Sequence, residues 1–275
     1  PIVVMTTEIF RNMLYAELDD GIDPLEGVEA VVLDECHYMN DSQRGTVWEE
    51  SIIHCPPPIQ LVALSATVAN AGQLTDWIEQ VHGPSDLIVS DYRPVPLQFS
   101  FCSAKGLHPL LNDQGTGLHP NCKVWRAPKG HHRRGKNPKP PQPEPPSMAF
   151  AVAQLVDRQM VPAIVFLFSR RGCDKAVRDL LKASLVNDQE AAELRRRFDA
   201  FARSSPEAVR DGVHAEALLR GVAAHHAGVL PAWKELIEEL FQAGLVKVVF
   251  ATETLAAGIN MPARTTVISA LSKRT

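Results

Sequence analysis

Apolar positions follow two rhythms along this chain. Short runs at residues 2–6, 30–33, 60–65, 87–90 and 97–102 alternate with stretches where apolar residues return every three or four positions. Runs of this length, rich in Val, Ile and Leu, read as strands, and the longer spacing reads as amphipathic helix. Helices are therefore predicted over residues 7–18, where Ile9, Met13 and Leu14 share a face, and over 42–54 and 71–81. The pattern resumes in the second half with helices predicted at 148–160, 172–184, 188–204 and from Pro231 to Gln242, and with strands at 163–168, 246–251 and 265–269. Pro231 suits a first helical turn, where its missing N–H costs nothing. Apolar strands separated by amphipathic helices imply an α/β fold with mostly parallel sheets covered on both faces.

Residues 107–147 break both rhythms. Gly and Pro cluster there, and the stretch from Asn137 to Pro146 holds a proline at almost every second position. Repeated prolines forbid helix and central strand alike, so an extended segment is predicted. The expected organisation is a first domain at 1–103, a Pro-rich basic linker or insertion at 104–147, and a second domain at 148–275. A length of 275 residues fits two domains at roughly 150 residues each.

Composition narrows the class. With 45% hydrophobic and 22% charged residues, the chain has the material for packed cores and is neither collagen-like nor disordered as a whole. No apolar run approaches the roughly 18 residues of a membrane span, and no basic-then-apolar leader is visible. The chain opens at Pro1 directly in an apolar run, so it is expected to be a piece of something longer. Five widely spread cysteines with no C-x-x-C pair leave zinc and redox motifs unsupported and make a reducing compartment the default. The net charge of −4 hides a strong asymmetry. Residues 1–100 carry 16 acids against three bases, whereas 101–147 carry eight bases against two acids. Such asymmetry hints at an anionic partner, although an acidic segment also makes an ordinary soluble surface.

The sharpest chemical feature is Val31-Val-Leu-Asp34-Glu35-Cys36-His37. Apolar residues followed by two acids place Asp34 and Glu35 at the carboxyl end of a parallel strand, where open α/β sheets bind ligands. Mg²⁺ needs only one or two carboxylates beside phosphates and water, which suits Asp34. Glu35 could polarise an attacking water. Leu61-Val-Ala-Leu-Ser65-Ala66-Thr67 is a second strand, ending in two hydroxyls able to bond the acidic loop. Thr6-Thr7-Glu8 opens a helix whose free N–H groups suit a phosphate. Each motif also has a plain reading, the acids as the start of a polar loop and the hydroxyls as helix caps.

Taken together and in order, these segments resemble the superkiller-like DExH-box RNA helicases of superfamily 2. Residues 3–15 look like motif Ib, Asp34-Glu-Cys-His37 like motif II and Ser65-Ala-Thr67 like motif III. Arg44-Gly-Thr-Val-Trp-Glu-Glu50 and Asp91-Tyr-Arg-Pro94 are also similar to that family. Val165-Phe-Leu-Phe-Ser-Arg-Arg-Gly172 resembles motif IV, and Phe250-Ala-Thr-Glu-Thr-Leu-Ala-Ala-Gly-Ile-Asn-Met-Pro262 resembles motif V, with Ala224-His-His-Ala-Gly228 between them. The resemblance implies two RecA-like domains, with ATP between them and RNA across their tops. It implies that Asp34 holds Mg²⁺, that Glu35 is the base, and that His37, Ser65 and Thr67 couple hydrolysis to movement. Thr6, Thr7, Ser169, Arg170, His225 and Thr252 would follow the RNA backbone, and Gly258 and Asn260 would face the nucleotide. The wording of Arg171-Gly-Cys-Asp174 and Leu255-Ala-Ala-Gly258 resembles the plastid subgroup of plants and green algae, which points to a plastid, with nucleus or cytoplasm as the alternatives; the family resemblance is also compatible with an RNA-processing or degradation complex.

Two departures qualify these expectations. The family's phosphate loop, ending in G-K-[ST], does not occur before motif Ib. The spacing in Gly130-His-His-Arg-Arg-Gly135-Lys136-Asn137 is a decoy, since Asn137 replaces the hydroxyl residue and prolines block the required helix. The arginines of motif VI are absent as well. The 275 residues alone are therefore expected to lack turnover. One alternative is a non-catalytic RNA-binding protein derived from a helicase. A Cys–His hydrolase built on Cys36 and His37 is disfavoured, because neighbours on one strand end face different ways.

Overall fold

Residues 1–16, 23–41, 44–66, 70–92, 94–122, 145–210, 212–252, 255 and 261–270 are described by the computed structural model. It divides into two units, Pro1–Val95 and Pro96–Thr275.

The first unit is built on two parallel strands, β1 (Ala30–Leu33) and β2 (Gln60–Ala63), with Ala30 opposite Gln60 and Leu33 opposite Ala63. Parallel neighbours need a crossover rather than a hairpin. It is supplied by a 3₁₀ turn, Cys36–Asn40, and by helix α2 (Gly45–His54). Val47, Trp48, Ser51 and Ile52 recur at helical spacing on one buried face of α2. The Ser51 hydroxyl donates to the Val47 carbonyl at 2.7 Å, so a polar group enters the core satisfied. Against this face pack Phe10 of α1 (Thr7–Tyr15), Leu33, Cys36, Cys55 and Ile59, with Trp77, Ile78 and Val81 of α3 (Ala71–Val81) at the margin. Gly45 is required at the start of α2, since a Cβ there would stand 2.2 Å from the Met39 carbonyl oxygen.

The second unit centres on four parallel strands in the order β6-β7-β5-β8, namely β5 (Ala163–Phe166), β6 (Val222–His225), β7 (Val248–Ala251) and β8 (Thr265–Ile268). Every residue of β6 and β7 is buried, as expected of strands covered on both faces. One face packs on α6 (Asp188–Ser204) and α8 (Pro231–Gln242), where Trp233 meets Phe198 and Phe201 edge-on at centroid distances of 6.2 and 5.9 Å. The other face packs on α4 (Met148–Asp157), α5 (Arg170–Asp179) and α7 (Gly212–Leu218). A hairpin of β3 (Ser100–Ser103) and β4 (Gly106–Pro109) sets Leu107 against Leu155 and Ala163.

The α/β architecture with mostly parallel pairing is the one expected, and several elements differ. Residues 2–6 and 87–90 form no strand, and Ile2, Val4 and Ile88 are fully exposed. Both runs have strand composition but no neighbouring strand among the described residues, and an apolar run without a ladder partner gains nothing from extending. The strand expected at 97–102 lies at Ser100–Ser103 and turns back through Gly106, whose φ of +123° suits glycine. Residues 104–122, expected within the linker, continue that hairpin and end in a turn where the Asn112 side chain accepts the Thr116 and Gly117 N–H groups. The expected extended stretch at 123–144 lies outside the described residues. Strand β6 and helix α7 escape the apolar pattern, because Val222-Ala-Ala-His225 and Gly212-Val-His-Ala-Glu-Ala-Leu218 are short and interrupted by histidine.

Trp233 is 1% exposed, so replacing it by alanine should cost about 3–5 kcal/mol through lost burial and the cavity left behind. Urea unfolding of the second unit measures this. A loss under about 1 kcal/mol would mean that the aromatic cluster does not carry the core.

Candidate functional site

The acidic pair sits where the parallel ladder of the first unit ends. Pairing continues past the strands, with Leu64 N–H donating to Leu33 O at 2.9 Å and Cys36 N–H donating to Leu64 O at 2.8 Å. The chain then turns sharply. Glu35 adopts a left-handed conformation, φ 55° and ψ 42°, and its N–H donates to Asp34 Oδ1 at 2.8 Å. Both acidic residues are exposed. Glu35 Oε2 lies 3.1 Å from His37 Nδ1, an approach without hydrogen-bond alignment that leaves Nδ1 buried and unpaired. The His37 ring stacks on Tyr38 at 4.8 Å. Between the carboxylates and the histidine, Cys36 points inward with its thiol donating to Leu33 O. Burial, followed by the charge of Asp34, pushes that thiol up to about 11.

Ser65 follows Leu64 directly, so the ladder brings it beside the acidic turn. Its hydroxyl makes no hydrogen bond to that turn among the described residues, and the link between the two loops is main-chain. Thr67 lies outside the described residues.

Thr6 and Thr7 stand at the start of α1. Thr6 O accepts from the Ile9 and Phe10 N–H groups, and the Thr6 side chain does not cap the helix. Glu8, in the first turn, folds its carboxylate back on its own N–H and is bound by Arg44, and both contacts hold it below the ordinary carboxylate range. Arg44 donates to Glu8 Oε1 through Nη2 at 2.7 Å and Nε at 3.2 Å. The guanidinium lies 5.5 Å from the Trp48 ring centroid, and Trp48 Nε1 donates to Asp34 O at 3.3 Å.

In the second unit the strand ends gather a second set. Leu167 N–H donates to Ala251 O, Thr252 N–H to His225 O and Ser269 N–H to Phe166 O. This aligns the residues just beyond β5, β6, β7 and β8 along one edge. Ser169 caps α5, its hydroxyl accepting Gly172 N–H at 3.0 Å, and Arg170 beside it is exposed. His225 is buried, with Nε2 at 2.7 Å from Glu238 of α8 and Nδ1 unpaired. Burial lowers its pKa below the ordinary 6.5, outweighing Glu238. The structure thus brings Ser169, Arg170, His225 and Thr252 to one sheet edge. Gly258 and Asn260 lie outside the described residues.

The sequence reading missed the polar hub behind this edge. Asp174 Oδ1 meets His226 Nε2 at 3.1 Å, Arg210 Nη1 at 3.3 Å and His214 Nε2 at 3.3 Å. His226 Nδ1 accepts the Gly228 N–H at 3.1 Å, so a neutral His226 carries its proton on Nε2 and donates to Asp174. Burial opposes ionisation of Asp174, but His226, Arg210 and His214 prevail and hold its carboxyl below the usual 3.8. A Cβ on Gly228 would stand 3.2 Å from the His226 ring and 3.5 Å from Arg170 Cδ. The signal available was the histidine pair 225–226. Adjacent residues at a strand end face opposite ways, so the two rings cannot share one task.

Both shifts make stability acid-sensitive. Below pH 6.5 the unfolded chain protonates His225 while the fold resists, so stability declines as pH falls from there. The Asp174 contribution is present above pH 3.8 and is lost as pH falls through its lowered folded value. Urea midpoints between pH 8 and 3 should show both declines, the first missing in His225→Phe and the second in Asp174→Asn. An unchanged acid limb in both variants would refute the assignment.

Residues 1–74 match the DEAD/DEAH box helicase family. The chain is 44% identical, over 99% of its length, to the chloroplastic DExH-box ATP-dependent RNA helicase DExH15 of Arabidopsis thaliana, covering 26% of that protein. It is 38% identical over 98% of its length to superkiller complex protein 2 of Mus musculus, covering 23% of it. With the exosome RNA helicase MTR4 of the same species it shares 37% identity over 97% of its length and 26% of that protein. The chain spans about a quarter of the length of these relatives. Over nearly all of its length, this sequence is similar to those of DExH-box RNA helicases.

Proposed function

We propose that this chain is the portion of an ATP-dependent RNA helicase that carries its hydrolytic carboxylates and part of its RNA track. The observation that carries this reading is the acidic turn, where neighbouring carboxylates have different surroundings. Asp34 is exposed and braces the turn through Oδ1, whereas Glu35 leans toward His37. Asp34 offers the hard, exposed oxygen that Mg²⁺ prefers. No group of three or more His, Cys, Asp or Glu able to hold an ion occurs among the described residues, so ATP phosphates and water would complete the set. Mg²⁺ bound there supplies charge neutralisation on the phosphates. Glu35 accepts the proton of the attacking water, and His37, Ser65 and Thr67 report the state of the turn to the rest of the protein. The Cys36 thiol, pushed up to about 11, is no nucleophile at neutral pH.

The RNA track is assigned to Thr6 and Thr7 in the first unit and to Ser169, Arg170, His225 and Thr252 in the second. Hydroxyls and helix starts can hold phosphates without a basic surface, which fits the acidic first 100 residues. In the second RecA-like domain, Gly258 and Asn260 are assigned to nucleotide binding. A plastid location follows the name of the Arabidopsis relative, and a place in an RNA-processing or degradation complex follows the superkiller and exosome names.

The test is made in the full-length protein. Glu35→Gln keeps the shape of the side chain and removes the proton acceptor, so ATP turnover should fall at least about 100-fold, with ATP and RNA binding retained. Asp34→Asn should instead weaken Mg²⁺–ATP binding itself. Near-normal turnover in Glu35→Gln would end this reading.

A further inference from the structure

A line of side chains joins the start of α1 to the acidic turn. It runs from Glu8 through two hydrogen bonds to Arg44, from the guanidinium to the face of Trp48, and from the indole N–H to the Asp34 carbonyl. Trp48 also touches the other limb of the turn, its ring 5.8 Å from Tyr38, which stacks on His37. Trp48 is 4% exposed, and a buried indole N–H needs an acceptor. The acceptor here is the main chain of the proposed metal carboxylate.

Stability alone does not account for the outer half of this line. The side chains of Arg44 and Glu8 are 55% and 38% exposed, and exposed ion pairs contribute little to folding. Their arrangement makes sense as an exchange. Glu8 lies in the first turn of α1, where a helix start leaves four N–H donors free. A phosphate seated at the start of α1 would compete for such donors and repel Glu8, because both are anions drawn to the same helix end. The same phosphate would attract Arg44. Arg44 therefore has two alternative anionic partners, and a change of partner alters its seat over Trp48.

We propose that Arg44 and Trp48 are positioning residues that transmit phosphate occupancy at the start of α1 to the Asp34 turn. This rests on the reading of Asp34 and Glu35 as hydrolytic groups and of α1 as part of the RNA track. Neither residue touches the reacting atoms. They act by setting the geometry of the turn that does, and the state that both sites bias is the partner of Arg44.

Full-length protein carrying Trp48→Phe, Arg44→Gln, Glu8→Gln or the Arg44→Gln/Trp48→Phe pair is compared for basal and RNA-stimulated ATP turnover. Trp48→Phe keeps a ring and deletes the N–H, and the two surface changes leave the core intact. Each single variant should lower the ratio of stimulated to basal turnover by about tenfold, the order that one hydrogen bond supports. KM for ATP should stay within about twofold, since only transition-state positioning is lost. The pair should lose no more than the worse single variant, because both cut one line, and Arg44→Lys should recover part of the stimulation. An unchanged ratio in the single variants, or a pair whose losses multiply, overturns the proposal. If Glu35→Gln is inactive in the same assay, only this inference falls. If Glu35→Gln stays active, the hydrolytic reading falls first.

Discussion

Parallel strand pairing is the constraint on which the rest of this structure depends. In a parallel ladder every strand enters from one edge and leaves by the other, so all carboxyl ends share a side. In the first unit this sets the turn after β1 beside the loop after β2 through the Leu33, Leu64 and Cys36 main-chain bonds. In the second it lines up the residues after β5, β6, β7 and β8. Helices must then fill the crossovers, and their buried stripes supply the cores that keep the edges in place. Candidate chemistry therefore falls on loops whose ends are fixed at both sides by packed elements.

The second unit shows how such an edge is kept rigid when polar groups are buried beneath it. Three donors converge on one oxygen of Asp174, from α7, the segment before α7 and the end of β6. Removing any one would not simply delete a contact. It would leave a partly buried carboxylate beside buried histidines with less compensation than the intact set provides. The network orients His226, His226 holds the Gly228 N–H, and Gly228 lies against Arg170. A partly buried polar network thereby borders an exposed side chain that is proposed to meet RNA.

Much of this is legible in the sequence. Helices α3, α6 and α8 and strand β1 lie where the apolar spacing predicts, because each is long enough or apolar enough for its period to show. The strand-end position of Asp34 and Glu35 needed only the run of Val and Leu before them. What could not be read was pairing. Residues 2–6 and 97–102 both read as strands, yet only the second run meets a ladder partner, and that partner lies in a stretch whose glycines and prolines argue against regular structure. The Asp174 hub was invisible for a related reason. Its members are separated by up to 52 positions, and apart from the histidine pair at 225–226 nothing in the sequence marks them as neighbours.

The backbone at Glu35 has an evolutionary consequence. A side chain with a Cβ held at φ 55° carries roughly 1–2 kcal/mol of strain that glycine would not. Selection for heat resistance alone would thus favour glycine at that position, and with it a sturdier protein stripped of its carboxylate. If Glu35 is the proposed proton acceptor, keeping glutamate there requires selection on chemistry in every generation. Under that proposal, a drift from Glu35 to glycine among descendants of this sequence would mark the point at which its carboxylate had ceased to matter.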